Sequence, residues 1–319
     1  MTDKRYDLLA IGRSSIDLYA REIGAAFVDI QSFAAYVGGC PTNISVGAQR
    51  LHLRTALLTP TGDDLVGDFV HNFLAREGVA ADFSPRKRGR RTSAFLLAIQ
   101  PPDKFPIVPY RDNCADLELT IADVQSAPIS ETRALLVTGS GLSREPSSTA
   151  TVFAAEQARA HGAQVVLDLD LRPELWPDPT AYGAAVNALL PFSNIVIGTM
   201  DEVVAVIAHD ADDAGVEALL VAGLDALVIK RGAASTIVRT RAGEMIEAAT
   251  FPVEVLNVLG AGDAFAAGFL YGHLRGWDWH KAARMGNACG AIVVTRHGCA
   301  NFMPDEREAL AFIEERGGF

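Results

Sequence analysis

Short apolar runs alternate with helical patterns along most of this 319-residue chain, and the alternation restricts the folds that it can adopt. Six runs have the length and the flanking residues of buried strands. They cover residues 6–11, 55–59, 134–138, 164–169, 195–198 and 226–230. The helical patterns cover residues 43–51, 65–77, 149–161 and 179–190. Strands that alternate with helices predict an α/β fold with a doubly wound, mainly parallel sheet, whose ligands bind at the carboxyl ends of the strands.

Two segments, residues 13–37 and 91–112, interrupt this alternation. Each contains short strand-like pieces that could not bury an apolar face alone. These pieces cover residues 16–19, 33–37, 93–99 and 107–110. We predict that they pack together as a small β-sheet lid, inserted in a single domain that spans residues 1–319 and able to close over a site.

The composition excludes several classes of partner. Hydrophobic residues make up 49% of the chain and charged residues 21%, with a net charge of −11. This charge argues against nucleic acid and anionic membranes as the main partner, because binding to them needs a basic face. No apolar run has membrane-spanning length and the N-terminus lacks a signal-peptide core, so we predict a cytoplasmic protein.

The cysteines and histidines do not predict a metal site. No CxxC pair occurs, and the seven histidines lack the spacing of metal ligands. The sequence therefore favours four small, buried thiols over a zinc site or a disulfide framework. The cysteines are Cys40, Cys114, Cys289 and Cys299.

The strongest chemical signal is the segment Gly260-Ala261-Gly262-Asp263, which precedes an apolar run that is typical of a buried helix. The glycines permit a sharp turn whose N–H groups can bind a phosphate, and the helix N-terminus adds positive charge. A carboxylate beside a phosphate is useful if it accepts the proton of an attacking hydroxyl, so the segment indicates phosphoryl transfer to an alcohol. The alternative is a glycine-rich turn with an acidic helix cap.

A second motif, Gly38-Gly39-Cys40-Pro41-Thr42-Asn43, leads into a predicted helix. The paired glycines permit close approach of the backbone to a ligand. Asn43 could cap the helix or bind a sugar hydroxyl, and the motif alone favours the cap.

Three carboxylates and an arginine follow predicted strands. Asp17 comes after the first strand, and Asp168, Asp170 and Arg172 come at or after a central one. Because ligands of a parallel sheet bind at this edge, we expect these side chains to reach the ligand. Ordinary loop carboxylates are the alternative for each of them.

In combination these motifs resemble the PfkB, or ribokinase-like, family of carbohydrate kinases. The resemblance covers nearly the whole chain, from Asp17 through Gly38, Gly39 and Asn43 to the signature at 260–263. It implies a ribokinase-like α/β core with a β-sheet lid, ATP as the donor and Mg²⁺. It also implies that the acid of the last signature is the catalytic base and that its first three residues form the anion hole. Dependence on a monovalent cation stays open.

Two positions depart from the family pattern. The aspartate that usually begins the last signature is replaced by Asn257, and the family's Asn-x-x-Glu reads Thr199-Met200-Asp201-Glu202. The resemblance assigns Glu202 to Mg²⁺ through water and Thr199 to the nucleotide side.

Three further residues match positions near the nucleotide in the family. Lys230 and Gly232 occupy the place of a glycine turn, in which Ser235 stands where a second glycine is common. Asn287 matches a position that approaches the nucleotide, and a helix-surface asparagine is the alternative.

Residues 109–116 and 167–176 resemble family members that act on sugar acids. Arg111 and Arg172, one in each segment, could each offer a planar pair of donors to a carboxylate. We therefore predict ATP-dependent phosphorylation of the primary hydroxyl of a sugar acid.

Other activities stay open at this point. The alternatives within the family are a kinase of a different sugar acid, a fructokinase or another sugar kinase. A non-catalytic sugar or nucleotide sensor is disfavoured, because a pure binder does not need the Asp263 carboxylate beside a phosphate. A dehydrogenase is disfavoured because residues 138–144 are not a complete GxGxxG motif. The lid is a candidate surface for a homodimer.

Overall fold

In the computed structural model of the protein, residues 4–101, 104–207, 216, 219–220 and 223–319 are described. These residues form fourteen strands and nine α-helices. The strands are β1 Tyr6–Ile11, β2 Ser15–Ala20, β3 Phe33–Gly38, β4 Thr55–Leu58, β5 Thr61–Gly62, β6 Arg86–Lys87, β7 Ser93–Leu97, β8 Ile107–Tyr110, β9 Thr132–Thr138, β10 Gln164–Asp168, β11 Ile195–Thr199, β12 Ala226–Lys230, β13 Ser235–Thr240 and β14 Met245–Ala249. The helices are α1 Cys40–Arg50, α2 Leu65–Glu77, α3 Ile121–Gln125, α4 Ser147–Ala160, α5 Pro179–Leu189, α6 Met200–Ile207, α7 Ala261–Leu274, α8 Trp279–Val293 and α9 Glu306–Glu314.

The large sheet has eight strands in the order β14-β13-β12-β11-β10-β9-β1-β4. The pairs from β4 to β12 are all parallel, which confirms the predicted doubly wound α/β fold. Successive residues of a strand point to opposite faces, so Leu135 and Leu136 of β9 pack into two different apolar cores. Helices α1, α2, α7, α8 and α9 cover one face, and α4, α5 and α6 cover the other.

Most predicted elements lie where the sequence placed them. Helix α2 has the predicted bounds because Asp64 Oδ1 caps it by accepting a hydrogen bond from Gly67 N at 2.7 Å, and Gly78 ends it with a φ of 76°. Helix α1 begins at Cys40 instead of residue 43, and Pro41 fits its first turn, where no N–H is needed.

The edge formed by β13 and β14 was not predicted. Strand β13 pairs antiparallel with β12, and β14 pairs antiparallel with β13. Polar residues interrupt the apolar residues of both strands, so neither is a continuous apolar run. The four cysteines are free and buried, as predicted. Among the described residues, no helix combines the length and the apolar character that crossing a bilayer requires.

The interrupting segments form a separate four-stranded sheet with the order β3-β2-β7-β8. We call this sheet the lid. It contacts the core through C-terminal residues: Tyr19 Oη lies 2.8 Å from Cys299 Sγ, and His297 Nε2 lies 2.9 Å from the carbonyl oxygen of Ala20. Tyr36 packs edge-on against Phe302 at 5.0 Å between ring centroids. The sheet matches the expectation from sequence, and its closing motion stays a prediction.

Candidate active site

The carboxylate of Asp263 lies in the first turn of α7 and is held by α1. Asn43 Nδ2 donates a hydrogen bond to Asp263 Oδ2 at 2.6 Å. Asn43 is inside α1, where its own N–H donates to Gly39 O at 2.8 Å. The cap role favoured from sequence is therefore wrong, and the asparagine instead orients the acid. Its Oδ1 is buried without a hydrogen-bond partner, so it can accept a ligand hydroxyl.

Gly260 makes the turn that begins α7. Its φ is 84°, and a Cβ at this position would lie 2.6 Å from Cys299 Sγ, so only glycine fits. Ala261 and Gly262 begin the helix, where N–H groups lack intrahelical acceptors, and the Ala261 N–H donates to the carbonyl oxygen of Val258 at 3.3 Å. This glycine turn at a helix N-terminus is the arrangement that anion sites use, and binding of an anion here stays a prediction.

The electrostatic surroundings of Asp263 are mixed. Burial raises its pKa, and the hydrogen bond from Asn43 acts to lower it. The nearby Asp170 carboxylate raises the pKa further, whereas the Arg172 guanidinium lowers it. A base with a raised pKa accepts a proton more readily than an exposed aspartate.

Asp17 enters the same cleft from the lid. It is 7% exposed, and Ser15 Oγ donates a hydrogen bond to its Oδ1 at 2.7 Å. Gly38 makes room for this carboxylate, because a Cβ there would lie 1.9 Å from Asp17 Oδ2. A Cβ on Gly39 would likewise lie 2.3 Å from the carbonyl oxygen of Arg13. The paired glycines therefore let protein groups approach closely, and their approach to a ligand stays a prediction.

Burial raises the pKa of Asp17 to about 6. The folded state therefore binds this proton more tightly than the unfolded state, and stability falls as the pH rises from 3.8 through 6. We expect Asp17→Asn to raise the free energy of unfolding of the ligand-free protein at pH 8 by up to about 3 kcal/mol, and much less at pH 4.5. Denaturant unfolding at the two pH values measures this difference. Asp29→Asn, at an exposed position near the lid, is the control, and an equal gain at both pH values would contradict the expectation.

A second group of charges lies at the carboxyl ends of β10 and β12. Lys230 Nζ lies 3.7 Å from Asp168 Oδ2, and this oxygen has no hydrogen-bond partner. Burial raises the pKa of Asp168 to about 7, against the effect of the Lys230 ammonium. Burial acts to lower the pKa of Lys230, but the carboxylates of Asp168 and Glu202 outweigh it and raise that pKa. The site thus contains a buried ion pair with unused hydrogen-bonding capacity.

Asp170 holds Arg172 at the rim of the cleft. Its φ is 34°, and its Oδ1 lies 3.0 Å from Arg172 Nη2. Ser140 Oγ donates to the other carboxylate oxygen at 2.5 Å. The side chain of Arg172 is 42% exposed, so its guanidinium is accessible to a ligand.

Thr199 and Glu202 form a capping box at the start of α6. Thr199 N donates to Glu202 Oε2 at 2.7 Å, and Glu202 N donates to Thr199 Oγ1 at 3.3 Å. The other oxygen, Glu202 Oε1, accepts from Leu171 N at 3.0 Å. Among the described residues, no three His, Cys, Asp or Glu side chains are grouped as direct metal ligands. Binding of a metal through water, as predicted for Glu202, stays a prediction.

The residues predicted for the nucleotide differ in how available they are. Gly232 has a φ of 59° and open space around it. Asn287 is buried: its Nδ2 donates to the carbonyls of Ala248 and Ala249, and its Oδ1 accepts from Thr236 Oγ1 at 2.7 Å. Asn287 therefore ties α8 to the sheet edge, and its contact with a nucleotide stays a prediction.

Arg111 is not among the residues that line the cleft. It forms a buried ion pair with Asp116, and its Nε donates to Asp116 Oδ2 at 3.1 Å. Ser93 Oγ donates to the other carboxylate oxygen at 2.5 Å. The structure thus gives Arg111 a role in holding the lid, and its binding of a substrate carboxylate stays a prediction.

The cleft between lid and core brings together Asp17, Gly39, Asn43, Arg172, Gly260 and Asp263. Sequence reasoning missed further lining residues. Arg13, just before β2, and Phe95, in β7, both line the cleft. Cys299 also lines it and lies behind Gly260. Arg13 comes two residues after the end of β1, so the rule that selected Asp17 could also have selected it.

Comparisons with known proteins agree with this geometry. A profile of the pfkB family of carbohydrate kinases matches residues 6–306. The 5-dehydro-2-deoxygluconokinase of Geobacillus thermodenitrificans is 34% identical over 317 residues, which cover 98% of this chain and 94% of that protein. The crystal structure of a fructokinase with bound ATP from Xylella fastidiosa matches with a TM-score of 0.88 at 26% identity, covering 98% of this chain and 99% of that one. A fructokinase double mutant from Vibrio cholerae, in a form with bound fructose, ADP and potassium ion, matches with a TM-score of 0.86 at 25% identity and 98% and 99% coverage.

Proposed function

The chain belongs to the pfkB family of carbohydrate kinases, and we propose that it transfers the γ-phosphoryl group of ATP to the primary hydroxyl of 5-dehydro-2-deoxy-D-gluconate. The product would be the 6-phosphate, in the catabolism of myo-inositol. The observation that carries the proposal is the carboxylate of Asp263, placed beside a helix-start anion site in a cleft that also holds Asp17 and buried or half-buried arginines. The choice of sugar is supported by relatives of that name at 34% identity over nearly the whole chain.

In the proposed mechanism, Asp263 accepts the proton of the attacking hydroxyl while Asn43 fixes its orientation through the 2.6 Å hydrogen bond. The N–H groups of Gly260, Ala261 and Gly262 stabilise the charge of the transferring phosphoryl group. Lys230 adds a positive charge nearby, since a Cβ on Gly262 would lie 3.1 Å from its Nζ. Positioning and charge stabilisation supply most of the rate, because phosphoryl transfer has a loose transition state.

Several residues fit a magnesium ion that accompanies ATP. Asp168 Oδ2 is a buried carboxylate oxygen without a hydrogen-bond partner, and Glu202 lies close enough to raise the pKa of Asp168. In the proposal these two carboxylates hold Mg²⁺ through water, and Lys230, Gly232, Thr199 and Asn287 line the nucleotide side. Bound Mg²⁺ supplies charge to the donor phosphates.

The proposal also includes a bound monovalent cation and a homodimer. A monovalent cation is supported by the potassium ion in the Vibrio cholerae fructokinase structure. A homodimer through the lid is supported by exposed apolar side chains, since Tyr110 in β8 is 60% exposed and Val28, in the connection between β2 and β3, is 90% exposed.

The experiment is an ADP-release assay with ATP and a panel of sugar acids, ketohexoses and nucleosides. We expect kcat/KM for 5-dehydro-2-deoxy-D-gluconate to exceed that for fructose by about 10-fold to 100-fold, the scale of a charged hydrogen bond of about 1.5–3 kcal/mol. The Asp263→Asn variant gives the background rate. A higher value for 2-keto-3-deoxygluconate or fructose would replace the proposed sugar. Sugar binding without release of ADP would indicate a sensor.

A further inference from the structure

Arg13 is a buried cation that faces the cleft without a direct ion pair. The residue is 8% exposed and lines the cleft. Its Nε is buried without a hydrogen-bond acceptor. Within the described part of the chain, no Asp or Glu oxygen lies within 4.0 Å of its guanidinium nitrogens. The nearby Asp17 carboxylate compensates part of this charge, since Arg13 acts to lower the pKa of Asp17. A buried guanidinium without a hydrogen-bond acceptor is still costly, so an anionic ligand in the cleft would complete its contacts.

The other two candidate arginines already have carboxylate partners. Arg172 is paired with Asp170 at 3.0 Å, and Arg111 is paired with Asp116. Arg111 also has a buried, unpartnered Nη1, but its charge is matched and it does not line the cleft. Of these three arginines, Arg13 is therefore the one whose guanidinium has no direct contact with a carboxylate.

The position of Arg13 is fixed from both ends. Its carbonyl oxygen accepts a hydrogen bond from Thr42 Oγ1 at 3.0 Å, and its guanidinium lies 4.7 Å from the ring centroid of Phe95. Phe95 is the register partner of Asp17 in the lid, so the guanidinium lies beside a carboxylate proposed to bind sugar hydroxyls. A guanidinium stacked on a ring keeps its edge free for a bidentate contact with a planar anion.

We propose that Arg13 binds the carboxylate of the sugar-acid substrate and determines the preference for acids over neutral sugars. The inference rests on the proposed function, and it replaces Arg111 and Arg172 as the main contact to the carboxylate. An ammonium in place of the guanidinium could supply charge but not the planar pair of donors. Arg13→Lys is therefore expected to recover only part of the preference.

The test compares kcat and KM of Arg13→Met for 5-dehydro-2-deoxy-D-gluconate and for its neutral analogue with a hydroxymethyl group in place of the carboxylate. We expect kcat/KM for the acid to fall by about 10-fold to 100-fold, mainly through KM, as follows from losing a charged hydrogen bond. The value for the neutral analogue should change by less than about 3-fold. Arg172→Met, which alters an ion-paired arginine of the same cleft, is the matched control and should affect both substrates alike.

The outcomes separate this inference from the proposed function. A wild-type enzyme that does not prefer the acid over its neutral analogue refutes the proposed substrate. A wild-type enzyme that prefers the acid, with an Arg13→Met variant that keeps the preference, refutes the role of Arg13 alone. Equal losses on both substrates would assign Arg13 a structural role through Phe95. An acid-specific loss in Arg172→Met instead of Arg13→Met would also overturn the inference.

Discussion

The Asp263→Asn variant is expected to have a kcat at least about 10²-fold below that of the wild type, the scale of removing positioned acid–base help. Asparagine has nearly the same shape and can keep a hydrogen bond to Asn43, but it cannot accept the proton of the attacking hydroxyl. Steady-state and single-turnover rates of ADP release measure the loss. The KM for the sugar should change little, because the proposed substrate contacts from Asp17 and Arg13 remain.

The stability of the same variant distinguishes loss of chemistry from loss of fold. Burial raises the pKa of Asp263, so at pH 8 the charged side chain destabilises the folded state and asparagine relieves this cost. We therefore expect a melting temperature equal to or above that of the wild type. Asp68→Asn, a first-turn aspartate of α2 paired with Arg86, is the control and should keep its kcat. A near-normal kcat in Asp263→Asn would remove this residue from the mechanism.

The parallel core was predictable because its strands are buried on both faces. Such strands read as continuous apolar runs, and β12 has the bounds predicted for residues 226–230. The turn and helix start proposed to bind an anion were predictable because their signal is local, with Gly260, Gly262 and Asp263 close together in the sequence. Strands β13 and β14 were not, because polar residues such as Thr236, Arg239 and Glu247 interrupt their apolar residues.

The contacts between distant residues that assemble the site could not be predicted from local sequence patterns. Asn43 and Asp263 are 220 residues apart, and their hydrogen bond arises only because α1 and α7 pack on the same face of the sheet. The cap expected for Asn43 failed for a local reason, since the helix begins earlier, at Cys40. Arg13 belongs to no motif, and its significance follows from burial without a partner, which only the structure reveals.

The Gly260→Ala variant is expected to lower kcat by at least about 10²-fold, the scale of losing one donor of an oxyanion hole. The added Cβ would lie 2.6 Å from Cys299 Sγ, so the turn that begins α7 must shift, and the N–H groups of the anion site shift with it. A φ of 84° also strains any alanine, at a cost of about 1–2 kcal/mol in stability. Single-turnover rates and melting temperatures separate the two effects.

Gly24→Ala is the matched control for this second prediction. Gly24 has a φ of 83°, but a Cβ there meets nothing within 4 Å and the residue does not line the cleft. Both variants therefore have similar backbone strain, while only Gly260→Ala adds the overlap with Cys299, so it should lose more stability and alone moves atoms at the predicted anion site. Equal activity of the two variants would show that phosphoryl transfer does not depend on the exact position of the turn at Gly260. A loss of kcat confined to Gly260→Ala, with KM for the sugar preserved, would locate the defect in stabilisation of the transferring group, because ground-state binding of the sugar would be intact.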